Sequence, residues 1–187
     1  MFELIQQLDS SILLTIQQLR VDWLSPIMVL ASLIGNAGLI WIALGVVLSI
    51  IPKTRKLGIL ALSSLLLCFL CNNVLLKNLV ARPRPYTRLP ELTLLVPYPL
   101  DFSFPSGHTC SSFATAGSLW HGGKRWNGLR IPAMILAILI SFSRLYVGAH
   151  YPSDVLVGAL IGLVGSALVT KYGAKVYDRI ATRLTRH

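Results

Sequence analysis

Three short segments of the chain carry side chains whose types and spacing suit phosphoryl transfer. They lie at 77–85, 105–108 and 143–154. Arginine and lysine bind phosphate oxygens, and an imidazole oriented by a nearby carboxylate can attack phosphorus as a nucleophile. The pattern predicts a site that binds a phosphate group and transfers it to a histidine. The predicted site residues are Lys77, Arg84, Ser106, Gly107, His108, Arg144, His150 and Asp154.

The segment 105–108, with the sequence Pro-Ser-Gly-His, leads directly into a predicted helix. The N-terminus of a helix exposes unpaired N–H groups and a partial positive charge, which together bind anions. Gly107 leaves room for a phosphate oxygen close to the backbone, and the Ser106 hydroxyl adds a donor. An ordinary turn with a serine cap has the same sequence, so this segment alone does not decide between the two interpretations.

Three cations, Lys77, Arg84 and Arg144, are predicted to hold the phosphate. A charged side chain near bilayer depth is costly and is usually functional. The planar guanidinium of arginine matches pairs of phosphate oxygens, whereas lysine supplies a compact point charge. Alternatively, a long basic side chain near the membrane can extend its charge to the lipid headgroups. This explanation accounts for Arg88 but not for all three motif cations. Arg82 is an alternative to Arg84 that spacing does not exclude.

Two histidines and one aspartate are the predicted catalytic residues. His150 and Asp154 are four residues apart at the start of a predicted helix, so they share a face. The carboxylate would fix the imidazole tautomer and leave the other ring nitrogen free to attack phosphorus. His108 then serves as the proton donor to the departing oxygen. A metal held by these three residues is disfavoured because three nearby cations would repel a divalent ion, so no metal or other cofactor is expected.

The composition places these residues in a membrane protein. Of 187 residues, 54% are hydrophobic and 13% are charged, whereas soluble domains carry about 25% charged residues. The net charge of +10 does not indicate nucleic-acid binding, because no basic groove with interleaved aromatic residues is present. The pair Cys68 and Cys71 lacks a second pair that would complete a zinc site, so both cysteines are interpreted as small hydrophobic residues.

The hydrophobic pattern predicts an all-α integral membrane helical bundle that forms a single domain over 1–187. It has about five transmembrane helices, preceded by an amphipathic or interfacial region at 1–35. Residues 24–51 form either one tilted helix or an interfacial helix followed by a span. The region 77–154 carries the catalytic signature. The predicted helices cover 2–19, 24–34 with 39–51, 56–80, 108–120, 131–146 and 154–172.

The distribution of charge predicts the orientation of the chain in the plasma membrane. Of the 17 lysines and arginines, three lie at 53–56, three at 124–130 and five at 171–186. Five spans place these segments on one side, which the positive-inside rule assigns to the cytoplasm, together with the C-terminus. The loops that carry the three motifs then meet at the extracytoplasmic membrane boundary.

The three segments resemble the signature of the type-2 phosphatidic acid phosphatase family. The match runs from 77 to 154, with no departure at any signature position. The family resemblance implies that His150 forms a phosphohistidine, that Asp154 orients it and that His108 protonates the leaving group. It implies that Lys77, Arg84, Ser106, Gly107 and Arg144 bind the phosphoryl oxygens. It also implies that no metal is needed.

The expected partner is the membrane itself, together with a lipid phosphate or diphosphate substrate. The leading hypothesis is hydrolysis of undecaprenyl diphosphate to undecaprenyl phosphate, and the alternatives are phosphatidylglycerophosphate and phosphatidate. A lipid phosphotransferase stays open, whereas a non-catalytic lipid-binding protein would be expected to have lost a catalytic residue. The apolar, proline-rich loop 86–104 either forms a lid or dips into the outer leaflet, or it only packs on the bundle.

A G-x-x-x-G pattern at Gly158 and Gly162 permits close contact between helices. The contact could join two copies of the chain in a homodimer or lie inside one bundle. Packing inside the bundle is the favoured interpretation.

Overall fold

The computed structural model describes residues 2–184, which form a bundle of helices. Every predicted helix is present, although several boundaries differ. The segment predicted at 56–80 is one helical run in three parts, and the last helix extends well beyond residue 172. The helices are α1 Phe2–Gln18, α2 Ser25–Ile34, α3 Leu39–Ile50, α4 Arg55–Phe69, α5 Lys77–Val80, α6 Gly107–His121, α7 Asn127–Tyr146 and α8 Pro152–Leu184.

Within residues 2–184, three helical runs are long and apolar enough to span a membrane. They are Arg55–Thr87, Lys124–Tyr146 and Pro152–Arg183. A fourth span results if the bent pair Ser25–Ile34 and Asn36–Ile50 is counted as one. These spans agree with the predicted integral membrane bundle. The count of five spans stays a prediction, because α6 has 15 residues and a length of about 22 Å, less than the roughly 30 Å hydrocarbon core.

Helix α6 lies at the centre of the bundle, where it packs against α4, α7 and α8. Its buried face consists mainly of alanine, serine, threonine and glycine, which allow neighbouring backbones to approach closely. A Cβ atom on Gly158 would lie 2.7 Å from the Ser106 carbonyl oxygen, and one on Gly162 would lie 2.6 Å from that of Cys110. The two glycines therefore pack inside the bundle, as the sequence favoured.

The stretch 24–51 consists of two helices that meet at an angle of 44°. The break contains Ala37 at φ 51° and Gly38 at φ 66°, both in the left-handed region. Glycine adopts this conformation easily, whereas alanine adopts it rarely. The change of direction lets α2 pack against α7 while α3 packs against α4. The connection between them, with Asn36, then passes beside the N-terminus of α6.

The run from α4 to α5 is interrupted by a π-helical segment, Leu70–Leu76. Such segments often occur at functional sites because they change which side chains face the core. Asn72 is buried here and donates from Nδ2 to the Pro105 carbonyl oxygen at 3.4 Å. Lys77 follows at the start of α5, and the helix ends at Ala81, whose φ is 48°. The segment thus fixes Lys77 beside the loop that precedes α6.

The loop between α5 and α6 has a packed part and an exposed tip. Leu92 lies in a buried cluster with Leu13 of α1 and Tyr151. In contrast, Tyr98 and Leu100 are exposed. Packing on the bundle, one of the two interpretations of this loop, therefore holds for its middle. The tip of the loop is exposed, and its role as a lid or at the membrane surface stays a prediction.

Candidate active site

The predicted site residues meet at one end of the bundle around a cavity of about 890 Å³. The C-terminal end of α7, the connection between α7 and α8, the start of α6 and the short α5 all contribute to it. Ser106 and Asp154 lie behind the wall, and the other predicted residues line it. The lining members of the predicted set are Lys77, Arg84, Gly107, His108, Arg144 and His150.

His150 is buried in the connection between α7 and α8. Its Nδ1 faces Asp154 Oδ2 at 3.5 Å, and its Nε2 lies 3.3 Å from Nη1 of Arg84. A separation of 3.5 Å is long for a hydrogen bond, but among the described residues no closer acceptor faces Nδ1. Burial lowers the pKa of His150 to about 3; the Asp154 carboxylate opposes this effect and the Arg84 guanidinium reinforces it. The ring is therefore neutral at pH 7, with Nε2 directed towards the cationic side of the cavity.

Asp154 is fully buried and held by several donors. Its Oδ2 accepts from the Tyr151 backbone N–H at 2.9 Å and from the Ser103 hydroxyl at 2.5 Å. Its Oδ1 accepts from Nη1 of Arg82 at 2.7 Å. These contacts fix the carboxylate beside the imidazole. Sequence reasoning missed Ser103, because nothing in its local spacing links it to a residue 51 positions later.

The two arginines in the Arg-Pro-Arg-Pro segment occupy different environments. Arg84 lines the cavity and donates from Nη1 to the Ala149 carbonyl oxygen at 2.8 Å. Arg82 stacks over the ring of Tyr151 with its Cζ 4.0 Å from the centroid, and it pairs with Asp9 and Asp154. The structure therefore places Arg84 at the cavity, and Arg82 supports Asp154 from behind.

An acidic residue that sequence reasoning did not select, Asp101, bridges two of the predicted phosphate-binding cations. Its Oδ2 accepts a hydrogen bond from Lys77 Nζ, and its Oδ1 lies 2.5 Å from Nη2 of Arg84. Burial raises the pKa of Asp101, but the hydrogen bond from Lys77 and the charge of Arg84 outweigh it and lower the pKa to about 2. The carboxylate is thus charged at neutral pH and pairs with two of the cations that are predicted to bind the phosphate. The available signal was the location of Asp101 between two of the predicted phosphate-binding motifs.

The third predicted cation, Arg144, is buried near the end of α7. Its Nη1 donates to the Ser32 hydroxyl of α2, and its Nε has no hydrogen-bond partner among the described residues. A buried guanidinium N–H without a partner is unfavourable unless a ligand supplies an acceptor. Arg144 also lines the cavity, so an anion in the cavity could supply that acceptor.

His108 lies on the first turn of α6 and lines the same cavity as His150. Its Nε2 is 2.9 Å from Oδ1 of Asn36, in the break between α2 and α3. A Cβ atom on Gly35 would lie 2.9 Å from His108 Cδ2, so the close approach of this break requires glycine. Sequence reasoning identified His108 but not Asn36, which precedes it by 72 positions.

The residues before His108 form the N-terminal cap of α6. The Ser106 hydroxyl accepts from the Thr109 backbone N–H at 3.4 Å and from the Thr109 hydroxyl at 3.0 Å, and it is buried. The structure therefore shows the serine cap, and phosphate binding by the Ser106 hydroxyl stays a prediction. Gly107 lines the cavity, and a Cβ atom there would lie 3.1 Å from Nδ2 of Asn73.

The donor set of the cavity does not resemble a metal site. Within residues 2–184, no group of three or more histidine, cysteine, aspartate or glutamate side chains is arranged to hold a metal ion. Chemistry without a metal stays a prediction that an assay with a chelator can test.

Comparison with known proteins identifies the family. The sequence model of the PAP2 superfamily matches residues 57–178, which include every predicted site residue. The chain belongs to the PAP2 superfamily. The resemblance inferred from the three motifs is thereby confirmed.

Curated relatives of this PAP2 protein include enzymes that act on polyprenyl lipids. The undecaprenyl-diphosphatase of Sulfolobus acidocaldarius is 36% identical over 143 residues, which cover 76% of this chain and 68% of that protein. The decaprenylphosphoryl-5-phosphoribose phosphatase of Mycobacterium tuberculosis is 41% identical over 100 residues, which cover 54% of this chain and 52% of that protein.

Two crystal structures share the fold of this PAP2 protein. LpxE of Aquifex aeolicus has a TM-score of 0.70 at 30% identity, with 87% of this chain and 94% of that chain covered. The transmembrane PAP2-type phosphatidylglycerolphosphate phosphatase of Bacillus subtilis has a TM-score of 0.76 at 28% identity, with 92% and 87% covered. Together with the superfamily match, these relatives make the chain a membrane lipid phosphatase.

Proposed function

We propose that this PAP2 protein hydrolyses undecaprenyl diphosphate to undecaprenyl phosphate at the extracytoplasmic boundary of the membrane, without a metal ion. The observation that carries the proposal is one cavity that joins a cluster of three cations to an apolar wall. Such a cavity suits a charged headgroup attached to a hydrocarbon tail. The similarity to the undecaprenyl-diphosphatase of Sulfolobus acidocaldarius supports this choice of lipid.

In the first step, Lys77, Arg84 and Arg144 hold the oxygens of the terminal phosphoryl group. Nε2 of His150 attacks phosphorus, and the bond from phosphorus to the leaving oxygen breaks. Burial and the charge of Arg144 lower the pKa of His108. The negative charge of the bound phosphate opposes this effect, and the imidazolium form of His108 that results donates its Nε2 proton to that oxygen. The ring of His150 becomes a cation as the N–P bond forms, and the Asp154 carboxylate stabilises it.

In the second step, the neutral His108 removes a proton from a water molecule, whose oxygen attacks the phosphohistidine. The N–P bond breaks, inorganic phosphate leaves, and His150 returns to its neutral form. The positions of the two ring nitrogens of His150 support these assignments. Asp154 faces Nδ1 of His150 at 3.5 Å, and Arg84 faces Nε2 at 3.3 Å.

The apolar wall supports a lipid rather than a soluble phosphate ester. Helices α2, α3 and α4 supply this wall, and several of its side chains are exposed. A hydrocarbon tail can therefore stay in the bilayer while its headgroup enters the cationic end. The apolar wall residues include Leu33, Ile42, Leu62, Leu66 and Phe69.

The extracytoplasmic location is supported by the charge distribution. The basic segments at 53–56 and 124–130 lie where α4 and α7 begin, at the helix ends opposite to those that carry the motifs, and the positive-inside rule assigns them to the cytoplasm. The basic end of α8 belongs to the same side, although Arg186 falls outside the described residues. A membrane-impermeant thiol reagent, applied to intact cells that carry a single added cysteine at Leu100 or at Gly128, tests this orientation.

A second candidate substrate is phosphatidylglycerophosphate. The fold similarity to the Bacillus subtilis phosphatidylglycerolphosphate phosphatase, at a TM-score of 0.76, favours it. The same chemistry would serve phosphatidate. Each is a phosphate monoester, so the substrate panel must separate them from the diphosphate.

The test is phosphate release by detergent-purified protein with EDTA present, on undecaprenyl diphosphate, phosphatidylglycerophosphate and phosphatidate. We expect the highest kcat/KM on undecaprenyl diphosphate, and a loss of at least about 10³-fold in the His150→Ala variant. A higher kcat/KM on a monoester would replace the proposed substrate. Activity that EDTA abolishes, or that survives in His150→Ala, would contradict the mechanism.

A further inference from the structure

Helix α1 carries a buried carboxylate, Asp9, that contacts the start of α8. Only 4% of this residue is exposed. Its Oδ1 accepts from the Ser153 backbone N–H at 2.9 Å, and its Oδ2 accepts from the Ser153 hydroxyl at 2.5 Å. Oδ2 also accepts from Nη2 of Arg82 at 2.7 Å. A carboxylate is rarely buried unless it is paired, so these contacts account for its place in the core.

Arg82 lies between Asp9 and Asp154. While Nη2 pairs with Asp9, Nη1 donates to Asp154 Oδ1 at 2.7 Å and to the Ser153 hydroxyl at 2.7 Å. The stacking of its guanidinium on Tyr151, at 4.0 Å from the ring centroid, fixes its plane. The other oxygen of Asp154 faces His150. Asp9 is thus connected to the proposed nucleophile through two intervening side chains.

The formal charges of this cluster suit the chemistry of His150. Asp9 and Asp154 each carry one negative charge and Arg82 carries one positive charge, so the buried cluster has a net charge of −1. When His150 becomes a cation in the phosphohistidine, the cluster and the ring together become neutral. Without the charge of Asp9, the cluster would start neutral and the reaction would create an unbalanced positive charge. Charges in a site with little water interact more strongly than charges in bulk water.

We propose that Asp9 is a positioning residue for the reaction: it holds Arg82 so that the negative charge of Asp154 stays available to the imidazolium of His150. This inference rests on the proposed phosphohistidine mechanism. Asp9 acts through Arg82 and Asp154 and does not touch the substrate. Arg84 faces Nε2 of His150, whereas Asp154 faces Nδ1, so we expect substrate binding to depend little on Asp9.

The test compares Asp9→Asn, Arg82→Gln and the double variant that combines them. We expect Asp9→Asn to lower kcat by about tenfold, the factor that roughly 1.4 kcal/mol of lost transition-state stabilisation produces. KM should change by less than about twofold, because ground-state binding keeps all three cations. The double variant restores a net charge of −1, so we expect its kcat within about threefold of the wild type.

A purely structural role of Asp9 predicts different results. Leu13→Ala removes a buried contact of the same helix without changing any charge, so it serves as the control for loosened packing of α1. We expect Arg82→Gln to raise kcat in the Asp9→Asn background but not in the Leu13→Ala background. Thermal melting of each variant in detergent gives the folded fraction by which kcat is normalised.

Two results would overturn the inference while leaving the proposed function intact. The first is a wild-type kcat in folded Asp9→Asn. The second is a folded double variant whose kcat is as low as that of Asp9→Asn. If Asp9→Asn does not fold, the corresponding result is a folded double variant whose kcat is more than about tenfold below that of the wild type. Failure of the proposed function is distinct, because it appears in the wild type and in His150→Ala. An inactive wild type, or an active His150→Ala, would overturn both proposals.

Discussion

Asp101 pairs with two of the cations that are proposed to bind the substrate phosphate, so neutralising it should strengthen phosphate binding. The carboxylate pairs with Lys77 and Arg84, two of the three cations in the cavity. Phosphate can take both cations only after this carboxylate has moved away. We therefore expect Asp101→Asn to lower the inhibition constant of inorganic phosphate and the KM for substrate.

The size of the effect follows from the free energy of the Asp101 ion pairs. Against the effect of burial, the contacts with Lys77 and Arg84 lower the pKa of Asp101 from 3.8 to about 2. For a group that is fully shielded from solvent, this lowering of the pKa would correspond to a favourable ion-pair free energy of about 2.4 kcal/mol. Because 52% of the side chain is exposed, solvent screening reduces the contribution to about 1 kcal/mol. Releasing the cations should therefore tighten phosphate binding about fivefold.

The assay is competitive inhibition of lipid hydrolysis by inorganic phosphate, for the wild type, Asp101→Asn and Glu91→Gln. Glu91 belongs to the same loop, and its exposed position makes it the control for a change in net charge. The lowered pKa means that the Asp101 ion pairs are complete above about pH 4 and are lost only as pH falls through about 2. The ratio between the wild-type and Asp101→Asn inhibition constants should therefore stay constant from about pH 5 to pH 8.

A weaker rather than tighter binding of phosphate in Asp101→Asn would refute this reasoning. It would mean that the carboxylate holds Lys77 and Arg84 in the geometry that phosphate requires. An equal effect of Glu91→Gln would also refute it, since the change would then reflect the general charge of the surface.

Three further predictions follow from the packing around the site. Gly162→Val should destabilise the protein by about 2–3 kcal/mol, since the added Cβ would lie 2.6 Å from the Cys110 carbonyl oxygen. Thermal melting measures this loss, and Gly128→Val, at a position with open space, is the control. Gly35→Ala should displace His108 and lower kcat about tenfold, and a substrate analogue with a good leaving group should recover most of the loss. Arg84→Lys should raise KM about tenfold in steady-state kinetics because lysine cannot bind two oxygens at once; an unchanged KM would exclude paired contacts to the phosphate.

The parts of the fold that sequence predicted are those with local signals. Long apolar runs located the helices, and the segment 105–108 marked the start of α6. The motif spacing selected six residues that do line one cavity. These signals work because hydrophobic periodicity and helix starts depend on neighbours in the chain.

The parts that sequence missed depend on contacts between distant segments. The pairing of Asp9 with Arg82 joins residues 73 positions apart, and no local pattern relates them. Helix α1 was interpreted from its apolar side chains as an amphipathic helix, yet the residue it buries against the site is a carboxylate. The π-helical segment 70–76 was also missed, because two asparagines in an apolar run do not specify a change of helical register.

The two faces of His150 carry opposite charge, and this asymmetry explains how one imidazole can serve both halves of the proposed reaction. The cavity side holds Lys77, Arg84 and Arg144, which attract the phosphate and favour the neutral ring that attacks it. The opposite side holds a cluster with a net charge of −1, which favours the cationic ring once the phosphoryl group is attached. Transfer places the negative phosphoryl group on the cationic side while positive charge develops next to Asp154. In both changes the new charge lies next to groups of opposite charge. The same arrangement that binds the substrate therefore also stabilises the covalent intermediate.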